Sequence, residues 1–156
     1  TVELPKAFPV VVTTNSGYPL DQNFYQAVKG MSAAVRIVQP GGVIVMASEC
    51  RAGLPSEGEF EPILSEPLSS PELLEEILHT EETRHDQWEV QTLLQILDKA
   101  RVMLYSDLPA EKRQHIRTEV TENIDATLQQ LHAAQDMARL PIAVLPMGPL
   151  TIPTLA

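Results

Sequence analysis

The sequence predicts an α/β domain of the three-layer α/β/α kind, Rossmann-like, with a mostly parallel sheet of about four strands. Three observations carry that prediction. Two short β-branched runs without alternation, VVVT at Val10 to Thr13 and VIVMAS at Val43 to Ser48, read as strands buried on both faces. The segments between and after them place apolar residues at helical spacing. Strand, helix and strand in that order form a β-α-β unit, which calls for parallel strands and a right-handed crossover.

Taken in order, the first strand ends at Thr13, and the loop NSGYPLD follows with Gly17 and Pro19 as breakers. From Asn23 to Val38, the residues Phe24, Val28, Met31, Val35 and Val38 recur at helical spacing, and Pro40-Gly41-Gly42 stops that helix. The stretch Glu49 to Ser70 scatters Gly53, Pro55, Gly58, Pro62 and Pro67 and reads as one long irregular loop, functional or mobile in a compact domain. Ser70 caps a helix whose first residue is Pro71 and which runs through LLEEILHT. Another helix, DQWEVQTLLQILDKA, begins near Asp86 and leads into a third strand, RVMLYSD. Pro109 opens AEKRQHI, and Ile116, Val120, Ile124, Leu128 and Leu131 mark a longer helix to about Ala138. LPIAVLP is the fourth strand, followed by a proline-rich tail, MGPLTIPTLA. The chain shows no internal repeat, so residues 1–156 read as a single domain.

A chain of 156 residues buries about 70% of its unfolded surface, enough for a core without disulfide staples. The single cysteine, Cys50, points to a reducing, cytoplasmic compartment. No apolar run approaches membrane-spanning length. The net charge of −10 argues against nucleic acid or an anionic membrane as partner, since both require a basic footprint. A small anion stays open, because one well-placed lysine outweighs the global charge locally. The chain does not begin with methionine and its first apolar run starts almost at once, which predicts a piece of a longer protein and a share of a function.

Ligands of open parallel sheets bind outside the carboxyl ends of the strands. Three loops lie there: NSGYPLDQ, SECRAG and YSDLP. In the helix after the first of them, Phe24, Val28, Met31 and Val35 form the buried stripe, and Gln26 and Lys29 sit side by side roughly 150° away. That placement suits a polar or anionic small ligand, and an ordinary solvated face accounts for it as well. In DQWEVQTLLQIL the core stripe is Val90, Leu93, Leu94 and Leu97, and Trp88 falls roughly opposite it. A tryptophan turned away from its own sheet either packs beneath the Glu49–Ser70 loop or walls a cleft. His79, His85, His115 and His132 have no metal-ligand spacing, and Cys50 is by default an idle thiol. The common phosphate, hydrolase and zinc signatures do not occur.

The segment TTNSGYPLDQNFYQAVKGMSAA, with GGVIVMASEC, HDQWEVQ and the closing PMGPLTIP, resembles the C-terminal domain of the nickel-dependent lactate racemase family. The likeness runs over nearly the whole chain. It implies one of two α/β domains with the active site in the cleft between them, and a nickel pincer nucleotide as cofactor. It also implies interconversion of the stereoisomers of a 2-hydroxy acid by hydride transfer to and from that cofactor, through a planar 2-oxo acid. By the resemblance the cofactor-anchoring lysine, the nickel ligand and the acid/base histidines belong to the N-terminal domain, so no catalytic or metal residue is expected in this chain. Gln26 and Lys29 would hold the substrate carboxylate or its oxygen, and Trp88 would wall the pocket. Tyr25 and Tyr18 are further candidates from the same motif.

The reading that follows is the substrate-side half of a racemase or epimerase, inactive by itself. The other reading is a non-catalytic binding or lid module of the same fold. They differ in whether Gln26, Lys29 and Trp88 face an open cleft or lie under the domain's own loops.

Overall fold

Val10, Val11, Thr13, Ile44, Val45 and Met46 have no exposed surface, so the two β-branched runs are central strands, as their lack of alternation requires. The structure is a computed structural model and describes residues 1–135 and 138–156. The first half comprises β1 (Val2–Leu4), β2 (Phe8–Thr14), α1 (Phe24–Ala34), β3 (Val38–Ala47), α2 (Phe60–Leu64) and α3 (Ser70–His79). The second comprises α4 (Gln87–Lys99), β4 (Arg101–Tyr105), β5 (Glu119–Val120), α5 (Ile124–Ala133), β6 (Ile142–Leu145) and β7 (Pro153–Leu155).

The main sheet runs β5-β4-β3-β2-β6 with every pairing parallel, one strand more than the four expected. Its two faces bury different partners. Val11, Ile44, Met46, Val102 and Leu104 join α1, α2, α3 and α4 in the larger core. Val10, Val43 and Val45 face the other way and meet Ile124, Leu128 and Leu131 of α5. The result is the three-layer α/β/α arrangement.

Where structure and sequence pattern part, the reasons are local. The first helix ends at Ala34 rather than Val38, because Val38 pairs with Phe8 and already belongs to β3. Pro40-Gly41-Gly42 therefore stops no helix and forms an irregularity between β2 and β3. There Gly41 has φ +73°, and a Cβ on Gly42 would lie 2.7 Å from the Pro9 carbonyl oxygen. The cap of α3 is Ser69, not Ser70, in a capping box with Glu72. The long helix expected from Pro109 is a 3₁₀ turn (Ala110–His115), then β5, then α5. Its apparent periodicity joins residues of opposite faces, since Ile116 and Val120 pack in one core and Ile124 and Leu128 in the other. Arg117, at φ 59°, breaks the run. The tail adds a 3₁₀ turn (Gly148–Leu150), and β7 pairs in parallel with β1.

The Glu49–Ser70 stretch is pinned, not loose. Phe60, Ile63 and Leu64 of α2 are buried in the larger core. Its start is tied to the loop after β2 by backbone bonds from Cys50 to Asp21, Ala52 to Gln22 and Phe24 to Gly53. Its end is clamped by Arg117, whose guanidinium donates to the carbonyls of Leu64, Glu66 and Leu68. Among the described residues no helix is long and apolar enough to cross a membrane.

Candidate functional site

Asn15, buried at the end of β2, sets the entry to α1. Its Nδ2 donates to the carbonyls of Leu20 and Gln26, so one side chain holds both the loop and the first turn of the helix. Asn23 caps α1 by accepting from the Gln26 N–H at 3.0 Å. The Phe24 and Gln26 amides are thus already paired.

Three of the residues singled out in the sequence form one patch. The Tyr25 ring stands edge-on between two aromatic partners, Phe60 at 5.1 Å and Trp88 at 6.0 Å between centroids. Lys29, one turn further along α1, is exposed and carries its Nζ 5.6 Å from the Tyr25 centroid. Trp88 is 56% exposed and is not covered by the Glu49–Ser70 segment. Instead that segment supplies Phe60 as the backing of Tyr25. Gln26 is half-buried in the first turn of α1, and its side chain makes no hydrogen bond to the patch among the described residues. Tyr18, 81% exposed on the loop after β2, is not part of it by any aromatic contact among the described residues. His85 is exposed at the head of α4, its Nε2 3.7 Å from Asp86.

Beneath the patch lies a residue the sequence pattern passes over. Glu89 is 1% exposed, and its Oε1 has no hydrogen-bond partner among the described residues. Burial pushes its carboxyl up to about 7, the Lys29 charge opposing and Asp86 adding to the rise. Tyr25 is raised too, by burial first and then by Glu89 and Asp86. The signal was present: Glu89 stands four residues before Leu93, on the buried stripe of α4.

A second feature occupies the carboxyl edge of the sheet, where the three loops were expected to converge. They line a crevice of about 320 Å³ with Thr14, Asp21, Ser48, Glu49, Ser106 and Asp107. Its walls are acidic, and the exposed Arg51 is engaged with Glu49 at 2.8 Å and Asp107 at 3.1 Å. Such a wall repels carboxylates. Cys50 nearby is buried, which raises its thiol.

Residues 5–152 match the family model of the lactate racemase C-terminal domain. The chain belongs to that family. This lactate racemase C-terminal domain is 42% identical over 104 residues to the lactate racemase of Thermoanaerobacterium thermosaccharolyticum, covering 65% of this chain and 24% of the relative. It is 34% identical over 142 residues to the lactate racemase of Lactiplantibacillus plantarum, covering 89% of this chain and 33% of the relative. Its fold superposes on the lactate racemase apoprotein of T. thermosaccharolyticum with a TM-score of 0.86 and 33% identity, over 98% of this chain and 37% of that one. The domain therefore spans a quarter to a third of the curated relatives it matches.

Proposed function

We propose that this domain is the substrate-side part of a two-domain racemase or epimerase of lactate or a related 2-hydroxy acid, with the patch of Lys29, Tyr25 and Trp88 facing an N-terminal domain across the active-site cleft. The observation that carries the reading is the position of the Lys29 ammonium, exposed on α1 beside an aromatic pair that the domain's own loops leave open.

In this reading Lys29 binds the substrate carboxylate and Gln26 donates to it or to the 2-oxygen. Those contacts hold the substrate by its fixed end while the carbon at its centre passes through a planar form and returns with either configuration. Trp88 covers the bound acid and keeps water from it, which strengthens the Lys29 contact by lowering the local dielectric. Among the described residues no three His, Cys, Asp or Glu side chains come together to hold a metal ion. The groups the patch offers, an ammonium beside aromatic rings, suit an organic acid. A nickel pincer nucleotide anchored by the N-terminal domain would supply the hydride acceptor and donor in the full-length enzyme. The buried free thiol of Cys50 supports a reducing, cytoplasmic setting.

The test uses the full-length parent protein loaded with the nickel cofactor, single enantiomers of lactate and larger 2-hydroxy acids, and optical purity as the readout. Racemisation that falls about 100-fold in Lys29→Ala is the expected result. Racemisation that survives the substitution removes Lys29 from the site. A parent that racemises none of these acids returns the domain to a binding or lid role. The isolated chain is expected to be inactive.

A further inference from the structure

We propose that Glu89 is a positioning residue for Lys29: its buried, unpartnered carboxyl between α1 and α4 holds the ammonium when ionised and releases it to an anionic substrate by taking up a proton. The proposal rests on the reading of Lys29 as the carboxylate-binding group.

The geometry is specific. Glu89 directly follows Trp88 and leads the buried stripe of α4, so it lies inside the helix pair whose outer edge is the Tyr25–Trp88 contact. At 1% exposure water does not reach it freely, and Oε1 has no partner among the described residues. A buried acceptor without a donor is costly, and persists where a donor or a change of charge state is supplied at another moment. The charges that act on it are those of Lys29 from α1, which opposes the rise, and Asp86 at the head of its own helix, which adds to it, while its own charge acts on Tyr25; none of these forms an ion pair or hydrogen bond with it among the described residues. The buried side chains of the other helices packed on α4 are apolar: Phe60 and Ile63 from α2, Leu73 and Ile77 from α3. From the sheet, Ile44 and Met46 of β3 and Leu104 of β4 belong to the same core.

The charge balance follows. With Glu89 ionised, the Lys29 ammonium has a resident carboxylate to neutralise it, and a second carboxylate must compete. With Glu89 protonated, the ammonium is uncompensated and available. An arriving 2-hydroxy acid anion adds negative charge close to Glu89 and favours its protonated form, so binding takes up one proton from solvent. Binding is then tighter at low pH and weakens as pH rises through the range where Glu89 ionises. The raised carboxyl fits this, since the exchange falls near neutrality.

The experiment compares the loaded, full-length enzyme with its E89Q and E89D variants, measuring KM and kcat for lactate from pH 6 to 8, with heat of binding in two buffers of different ionisation enthalpy to count protons. In the wild type, KM rises about tenfold across that range, the behaviour of a single group that must be protonated to bind. E89Q keeps the low KM throughout and takes up no proton. E89D, which retains a carboxyl, restores the rise. An active wild type whose KM profile and proton uptake are the same in E89Q overturns this role while leaving the racemase reading intact. A wild type that neither binds nor racemises a 2-hydroxy acid overturns both. Loss of fold is not confused with loss of function, because E89Q replaces a buried ionisable group by a neutral one of the same shape.

Discussion

Tyr25 and Trp88 meet edge to face, their ring centroids 6.0 Å apart and their planes at 88°. One comes from α1 and the other from α4, so the contact fixes the two helices' outer edges against each other. It still leaves Trp88 56% exposed. An exposed tryptophan held by one aromatic neighbour is an orienting contact and carries little of the stability.

Substitution at Trp88 follows from that. Trp88→Ala is expected to cost only about 1 kcal/mol of stability, the worth of an edge-to-face pair plus a part-exposed ring. The same change is expected to raise KM for the 2-hydroxy acid in the full-length enzyme by an order of magnitude or so, while Trp88→Phe preserves most of it. Thermal melts and steady-state kinetics on the same preparations separate the two effects. A large stability loss with unchanged KM would place the tryptophan in the core's service.

Glu89 makes stability depend on pH in an unusual direction. Its carboxyl moves from an ordinary 4.5 to about 7 on folding. A group that binds its proton more tightly when folded contributes most below the unfolded value and loses that contribution as pH rises through the folded one. Glu89→Gln is therefore expected to be more stable than the wild type at pH 8, on the order of 1–2 kcal/mol, and to show no such advantage at pH 4. Urea midpoints at the two pH values decide it. An advantage that is equal at both, or reversed, would show that Glu89 does not hold its proton in the fold.

Gly148 allows the tail to seat on the sheet. A Cβ there would lie 2.5 Å from Thr13 Oγ1, 2.6 Å from the Thr14 carbonyl oxygen and 3.1 Å from Gly30 Cα. Two of these neighbours are backbone, so neither turns aside. Gly148→Ala is expected to destabilise by roughly 1–3 kcal/mol, the range for overpacking. Differential scanning calorimetry reads the shift, and an unchanged midpoint would mean the tail docks elsewhere.

Arg117 makes the long segment after β3 part of the scaffold. Its guanidinium donates to three carbonyls at alternate residues, at 2.8 Å to Leu64 and Leu68 and 2.7 Å to Glu66. Arg117→Ala leaves those buried-side acceptors unpaired and is expected to cost about 2–3 kcal/mol. Hydrogen exchange is expected to rise across residues 60–70 and much less in α1. Uniform exchange through the domain would instead mean the clamp serves the global fold.

The sequence by itself determined the elements whose signal is local. β-Branched runs too short for helices and without alternation are central parallel strands, and the stripes of α1 and α4 turn Lys29 and Trp88 outward because their neighbours at helical spacing must face the core. What only the tertiary structure decided depends on partners far along the chain. Val38 leaves its helix for β3 because Phe8 waits beside it, and Val120 joins β5 instead of a long helix because β4 offers an open edge. Val2–Leu4 and Pro153–Leu155 are strands only through each other. Glu89 is the clearest case. Its spacing to Leu93 turns it toward the inner side of α4, and α1 and α2 closing over that helix decide that it is buried with Oε1 unpaired among the described residues. Periodicity records which way a side chain points, and packing determines what it meets there.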